Sequence, residues 1–289
     1  MEKKLKILSK KVNFYLNNYL SKFNYSELKA PMKYGLFPGG KKIRSKIIFD
    51  VGSIFNVKKK HLLILASSVE AIHAYSLIHD DLPCMDDDKL RRGKPSTHVK
   101  FGESTAILAG NSLLTTAFEI LSDNNFKVEN KIKSRLINLL SRCSGQTGIA
   151  GGQYLDLSYE KKKVSLKKIL NMELKKTGKL FEFCCVAPLL INKNKININS
   201  FSKMGKDIGL LFQIVDDLID FKGKTKLAGK KTQKDIKKGK ATIISLLGYK
   251  NAVKYAYKLK QNIYSRLKKH NINAKDLKET INFIMERNS

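Results

Sequence analysis

Eight of the chain's 25 acidic residues fall into two tight groups, five in DDLPCMDDD (Asp80, Asp81, Asp86, Asp87, Asp88) and three in QIVDDLID (Asp216, Asp217, Asp220). In the second group Gln213, Asp216, Asp217 and Asp220 recur at i, i+3, i+4 and i+7, the spacing that lines one face of a helix. In the first, His73, Ser76, Leu77 and Asp80 share a face by the same rule. Both groups are placed by this reading at the C-terminal ends of apolar helices, where the macrodipole disfavours each carboxylate by roughly 0.3 to 1 kcal/mol. Two such faces looking at each other across a cavity need cations between them. Carboxylate oxygens without paired His or Cys select a hard ion, Mg²⁺ above all, whose shell is completed by water and phosphate oxygens. The plain alternative for either group alone is a solvated helix end. Two groups that both close buried helices in a lysine-rich chain favour a metal site.

Arginine is the other scarce residue. Only seven of the 56 basic residues are Arg, and three of them sit in Gly-flanked segments near the first acidic group: Arg44 in GGKKIR, Arg91 and Arg92 in RRGKP. A planar guanidinium grips a diphosphate through paired hydrogen bonds that a Lys point charge cannot reproduce. Gly39 and Gly40 let the backbone and Lys41 approach an anion, although a Gly pair before a helix is also an ordinary turn. Lys176 and Thr177 precede Gly178 inside a helical segment, where a Gly marks a bend and frees carbonyls. Tyr75 lies five residues before Asp80, about 7.5 Å below it along a helix, at the floor of any cavity opening at the aspartates. The segment GKTKLAGKK (223–231) approximates a phosphate-binding P-loop. Its inter-glycine spacing is wrong, no Ser or Thr follows, and no strand precedes it, so that reading is rejected.

These residues need elements to hold them, and the hydrophobic period is helical throughout. Leu5, Leu8, Val12, Tyr15, Leu16 and Tyr19 form one stripe, and Ile208, Leu211, Phe212, Val215, Leu218 and Ile219 another. Further helices are predicted near 41–55, 60–80, 103–121, 130–147, 165–190, 251–268 and 274–286. The stretch from His61 to His79 is apolar nearly all round, as in a helix surrounded by others. The basic stretch 221–240 reads as a loop. With no period-2 alternation, no internal repeat and no Gly/Ser linker, the expectation is an all-α, single-domain bundle over residues 1–289 around a central cavity.

Composition bounds the function. The 289 residues are 42% apolar, which excludes a disordered chain, and the net charge of +31 raises nucleic acid or an anionic membrane as partners. The surplus is lysine spread over helix faces, without basic segments interleaved with stacking aromatics, so nucleic acid is not expected. Four Cys without a CxxC suggest neither a disulfide framework nor zinc. The N-terminus lacks an apolar signal core and no 18-residue apolar run occurs, so a cytoplasmic chain without stable membrane association is expected.

The quoted motifs, in the order GGKKIR, IHAYSLIHDDLPCMDDDKLRRGKPSTH, FGESTAILAG, GGQYLDL, KKTG, FQIVDDLID, GKAT and IMERNS, resemble the trans-prenyl diphosphate synthases over nearly the whole chain, with the bacterial farnesyl type as the nearest pattern. The resemblance implies the all-α isoprenoid synthase bundle and a homodimer. It implies a Mg²⁺-dependent condensation of isopentenyl diphosphate with dimethylallyl and geranyl diphosphate to the fifteen-carbon farnesyl product, a geranylgeranyl or other short-chain product being the alternative. Asp80, Asp86 and Asp216 would bind three Mg²⁺, with Asp81, Asp217 and Asp220 assisting. Arg91, Lys176, Thr177, Gln213, Lys230 and Lys240 would hold the allylic diphosphate. Lys41, Arg44, His73 and Arg92 would hold isopentenyl diphosphate, and Tyr75 with Ser76 would set chain length. Asn111, Lys224 and the IIS after GKAT depart from the family pattern without removing a proposed ligand. A terpene cyclase would lack the GGKKIR site and carry a different second motif. A non-catalytic partner subunit would lose one Asp motif.

Overall fold

A computed structural model describes residues 1–22, 27–160, 162–227 and 242–287, without the side chains of 223–227 and 271–272. The chain runs α1 (Glu2–Ser21), α2 (Lys29–Leu36), α3 (Ile43–Ile54), α4 (Lys59–Asp80), β1 (Leu90–Arg91), β2 (Lys94–Pro95), α5 (Thr97–Phe101), α6 (Glu103–Ser122), α7 (Asn130–Ser144), α8 (Ile149–Ser158) and α9 (Leu166–Glu173). A π-helical turn (Leu174–Gly178) leads into α10 (Lys179–Ile191), followed by α11 (Ile198–Leu227), α12 (Ile243–Leu247), α13 (Tyr249–Leu267), a 3₁₀ stretch (Lys268–Ala274) and α14 (Lys275–Glu286). The all-α expectation holds, with one antiparallel pair of two-residue strands among the described residues.

Backbone contacts group the chain into two compact units, residues 1–138 with 190–193, and residues 139–189 with 194–289. In the first, α4 is the axle, with α1, α2, α3 and α6 against it. Its residues from Leu62 to Ile78 are buried almost without interruption, as an apolar helix without a polar side requires. By length and hydropathy α4 could cross a membrane, yet 83% of that window is buried inside the protein. On α1, Leu5, Leu8, Val12, Leu16 and Tyr19 are buried, while Tyr15 is half-buried at the stripe's edge.

In the second unit α11 is the axle, touching α13, α14, α12, α9 and the π turn. Ile208, Leu211, Ile214 and Val215 are buried, and Phe212, Leu218 and Ile219 are half-buried. Small residues let its backbone come close to its neighbours: a Cβ on Gly209 would lie 3.0 Å from Gly178 N, and one on Gly205 2.6 Å from Glu182 Cα.

Three expectations are corrected. The helix predicted over 165–190 is broken into α9, a π turn and α10, because one extra residue is accommodated at Leu174–Gly178. The loop expected from 221 is helical as far as Leu227, so the second aspartate group lies inside α11 rather than at its end. The macrodipole argument therefore applies to Asp80, the last residue of α4, and not to Asp216, Asp217 and Asp220.

Candidate active site

The first unit builds two adjoining features from α3, α4 and the hairpin. After Asp80 the chain turns back on the end of its own helix: the Asp86 amide donates to the Asp80 carbonyl at 2.9 Å and the Asp88 amide to that of Asp81 at 3.2 Å. The residues between Asp81 and Asp86 are thus used to curl the loop, and the backbones of the first and seventh residues of DDLPCMD, Asp80 and Asp86, meet. Asp87 takes a positive φ (49°) within it.

Asp81 is buried and already engaged. Arg91 Nε donates to its two carboxylate oxygens at 3.0 and 3.2 Å, and Nη2 also reaches Oδ1. Burial pushes the Asp81 carboxyl upward against the opposing pull of Arg91. Arg91 keeps 30% of its side chain exposed, so the pair with Asp81 does not bury it fully. Leu90 pairs with Pro95 and Arg91 with Lys94 across a two-residue turn made by Arg92 and Gly93, both at positive φ (53° and 75°). That is the geometry of a primed hairpin turn, and it explains why the arginines diverge: Arg91 runs to Asp81, while Arg92 turns toward Gly40.

Gly40 has φ 120°, and a Cβ there would overlap the Arg92 guanidinium. Two residues on, Lys42 enters α3 in the left-handed conformation. Arg44 Nη1 lies 3.3 Å from His73 Nε2. Burial, then Arg44, Lys42, Arg92 and Arg91, hold His73 well below the ordinary imidazole range, so it is neutral at pH 7. A neutral ring can accept from Arg44 on one nitrogen and donate from the other. The structure therefore gathers Arg44, His73 and Arg92, with Lys41 in the adjoining turn. Tyr75 is buried on α4 with its ring 5.5 Å from that of His79 in an edge-on arrangement, and Ser76 donates to the His73 carbonyl.

The second unit builds the other set. Gln213 bridges two elements: Thr177 Oγ1 donates to its Oε1 at 3.3 Å, and its Nε2 donates to Asp217 Oδ1 at 3.1 Å. Burial and the neighbouring Asp220 and Asp216 outweigh the Gln213 bond and the pull of the Ile243 backbone amide, and raise the Asp217 carboxyl to about 6. Asp217 Oδ2 is buried, without a hydrogen bond of good geometry. Lys176 Nζ donates to Asp156 Oδ2 at 2.7 Å. The register of that pair is set one turn earlier on α8, where a Cβ on Gly152 would press into the Lys176 backbone. The π turn thus aims Lys176 and Thr177 from consecutive positions.

Oxygen donors alone and mutual repulsion among Asp216, Asp217 and Asp220 fit a hard divalent cation. Among the described residues no three acidic, His or Cys side chains form a metal cage by themselves. Lys230 and Lys240 lie outside the described residues. Spacing alone did not single out Glu70, Asp156 or Arg287. GGQYLDL contains Asp156, but nothing in its spacing names Lys176 as the partner.

Each unit thus carries carboxylates beside cationic groups, side chains of the kind that hold diphosphates and hard divalent cations. The family model for polyprenyl synthetase matches residues 25–284. The farnesyl diphosphate synthase of Escherichia coli is 38% identical over 287 residues, covering 96% of each chain. An FPP/GFPP synthase from Zymomonas mobilis superposes with a TM-score of 0.86 at 34% identity, covering 99% of this chain and 100% of that one. A geranyltransferase from Helicobacter pylori, solved with magnesium and isoprenyl diphosphate, gives a TM-score of 0.78 at 30% identity over 97% and 96%. The chain belongs to the polyprenyl synthetase family and has the all-α isoprenoid synthase fold.

Proposed function

We propose that this enzyme condenses isopentenyl diphosphate with dimethylallyl and then geranyl diphosphate, giving farnesyl diphosphate and pyrophosphate. The observation that supports the site assignment is the Asp86-to-Asp80 backbone bond, which folds DDLPCMD so that the backbones of its first and last residues meet. Asp80, Asp86 and Asp216 are the proposed Mg²⁺ ligands, three ions per site with substrate, and Asp81, Asp217 and Asp220 support them. Mg²⁺ held by one or two carboxylates and completed by diphosphate oxygens requires no preassembled cage. When bound, it supplies positive charge against the departing diphosphate.

The chain's own groups do the rest. Arg91, steadied by Asp81, meets the allylic diphosphate, and Lys176, with Lys230 and Lys240 as further proposed contacts, adds charge there. These groups stabilise the negative charge that develops as the C–O bond ionises. Thr177 and Gln213 border the allylic cation. Lys41, Arg44, Arg92 and neutral His73 orient isopentenyl diphosphate so that its double bond is the nucleophile, and the proton lost afterwards goes to the released diphosphate. Tyr75 and Ser76 limit the growing chain. A single synthase domain over 1–289, a homodimer and a cytoplasmic location complete the reading. The dimer is supported by α6, which leaves Ile107 and Leu108 exposed, and light scattering of the purified protein checks it. Incubation with Mg²⁺, isopentenyl diphosphate and geranyl diphosphate should give a fifteen-carbon diphosphate on sizing. A mainly twenty-carbon product would favour the geranylgeranyl reading instead.

A further inference from the structure

Glu70 is a buried carboxylate on α4, one helical turn before His73, for which the reaction has no direct use. Its Oε2 lies 3.1 Å from Lys42 Nζ and its Oε1 accepts from Ser45 Oγ at 2.6 Å. Lys42 and Glu70 side chains are 6% and 4% exposed, and Ser45 is wholly buried. Burial alone would raise this carboxyl, but Lys42, the Ser45 hydroxyl and Arg44 together hold it below the ordinary range, so it is ionised. Glu70 also faces Arg92.

What Glu70 holds is an irregular piece of backbone. Gly39, Gly40 and Lys42 all have positive φ (96°, 120° and 51°). Lys42 carries a Cβ, and a non-glycine residue keeps a left-handed conformation only where its surroundings over-determine it. The Lys42 carbonyl accepts the first bond of α3, from the Lys46 amide at 3.0 Å. Fixing Lys42 and Ser45 therefore fixes the first turn of α3 on both sides of Arg44, and sets Lys41 at its mouth. A buried ion pair is weak evidence for added stability; here it sits where two helices must hold one register.

We propose that Glu70 is a positioning residue for the isopentenyl diphosphate site: by clamping Lys42 and Ser45 across α3 and α4, it holds Lys41 and Arg44 in the geometry that meets His73 and Arg92. This rests on the reading that those four residues bind isopentenyl diphosphate. Glu70 touches no substrate and acts through Lys42.

The direction of the effect separates geometry from charge. Removing a negative charge beside Lys42, Arg44 and Arg92 would by itself strengthen anion binding. Loss of positioning weakens it. Steady-state kinetics of E70Q, with folding checked by circular dichroism, should show a KM for isopentenyl diphosphate raised about fivefold or more, with the KM for geranyl diphosphate changed less than about twofold. In a K42M background E70Q should add almost nothing, because the two act as one unit. An isopentenyl diphosphate KM that is unchanged or lowered in folded E70Q overturns the proposal, as does full additivity with K42M. Should E70Q fold poorly, S45A removes one arm of the clamp and keeps the charge. It should move the same KM in the same direction by a smaller factor, and an unchanged KM counts against the proposal. R44K tests the underlying site separately: if it leaves the isopentenyl diphosphate KM unaltered, the site reading itself fails, whereas an effect of R44K without one of E70Q rejects only the role of Glu70.

Discussion

Arg287, in the last described turn of the chain, places Nη2 2.6 Å from Asp216 Oδ1 and lies 3.8 Å above the Phe212 ring, with Nη2 also donating to the Phe212 carbonyl at 2.8 Å. Its side chain is 7% exposed, whereas Asp216 is 40% exposed. The guanidinium therefore occupies one oxygen of a proposed metal ligand while leaving the carboxylate open to solvent on its other side.

Metal must compete with that guanidinium. R287A should bind Mn²⁺, followed by paramagnetic resonance as a Mg²⁺ substitute, about fivefold more tightly, matching about 1 kcal/mol for a partly exposed pair. Equal affinity in both proteins would mean that Arg287 does not restrain Asp216.

The approach of α8 to the π turn leaves no space for a methyl group. G152A would push a Cβ into the Lys176 backbone, and overpacking of this kind costs about 1 to 3 kcal/mol. We expect a lower melting temperature together with a fall in kcat as Lys176 leaves Asp156. Unchanged kcat at reduced stability would separate the π turn from the chemistry.

Asp217 gives the metal-free protein a particular pH dependence. Its folded value, about 6, lies above the unfolded carboxylate value of about 4, so the fold favours the protonated form. Its contribution to stability is present below about pH 4 and is lost as pH rises through about 6. The melting temperature of D217N relative to wild type should therefore rise between these limits in metal-free buffer. A difference that stays flat with pH would contradict the burial and repulsion described for this carboxylate.

Tyr75, the proposed limit on chain length, is buried on α4 with its ring edge-on to His79. Y75A should extend products beyond fifteen carbons, seen by mass spectrometry, and destabilise the protein by about 3 kcal/mol. An unaltered product distribution would remove Tyr75 from the chain-length role.

The helices with continuous apolar periodicity were legible residue by residue. His61 to His79 reads as a buried axle because no side of it is polar, and α4 is one. Elements made by tertiary contact were not. The π turn at Leu174–Gly178 depends on the close approach of Gly152 and Gly209 from other helices, and a helical period continues across it undisturbed. The aspartates and arginines were legible because they are scarce and spaced. Their partners were not, since Asp156, Glu70 and Arg287 are ordinary charged residues on helices until folding brings Lys176, Lys42 and Asp216 against them. Arg287 in particular reads as a surface or packing residue, and folding makes it the second, buried over Phe212.

If carboxylates of both aspartate groups serve one Mg²⁺-dependent condensation, as proposed, removing a ligand from either group must stop it. The most direct measurement is product formation from isopentenyl and geranyl diphosphates by wild type, D80A and D216A at saturating Mg²⁺, each confirmed folded. Wild type should give farnesyl diphosphate, and each variant should lose about a hundredfold or more in kcat. Turnover near the wild-type rate by either folded variant would contradict that proposal.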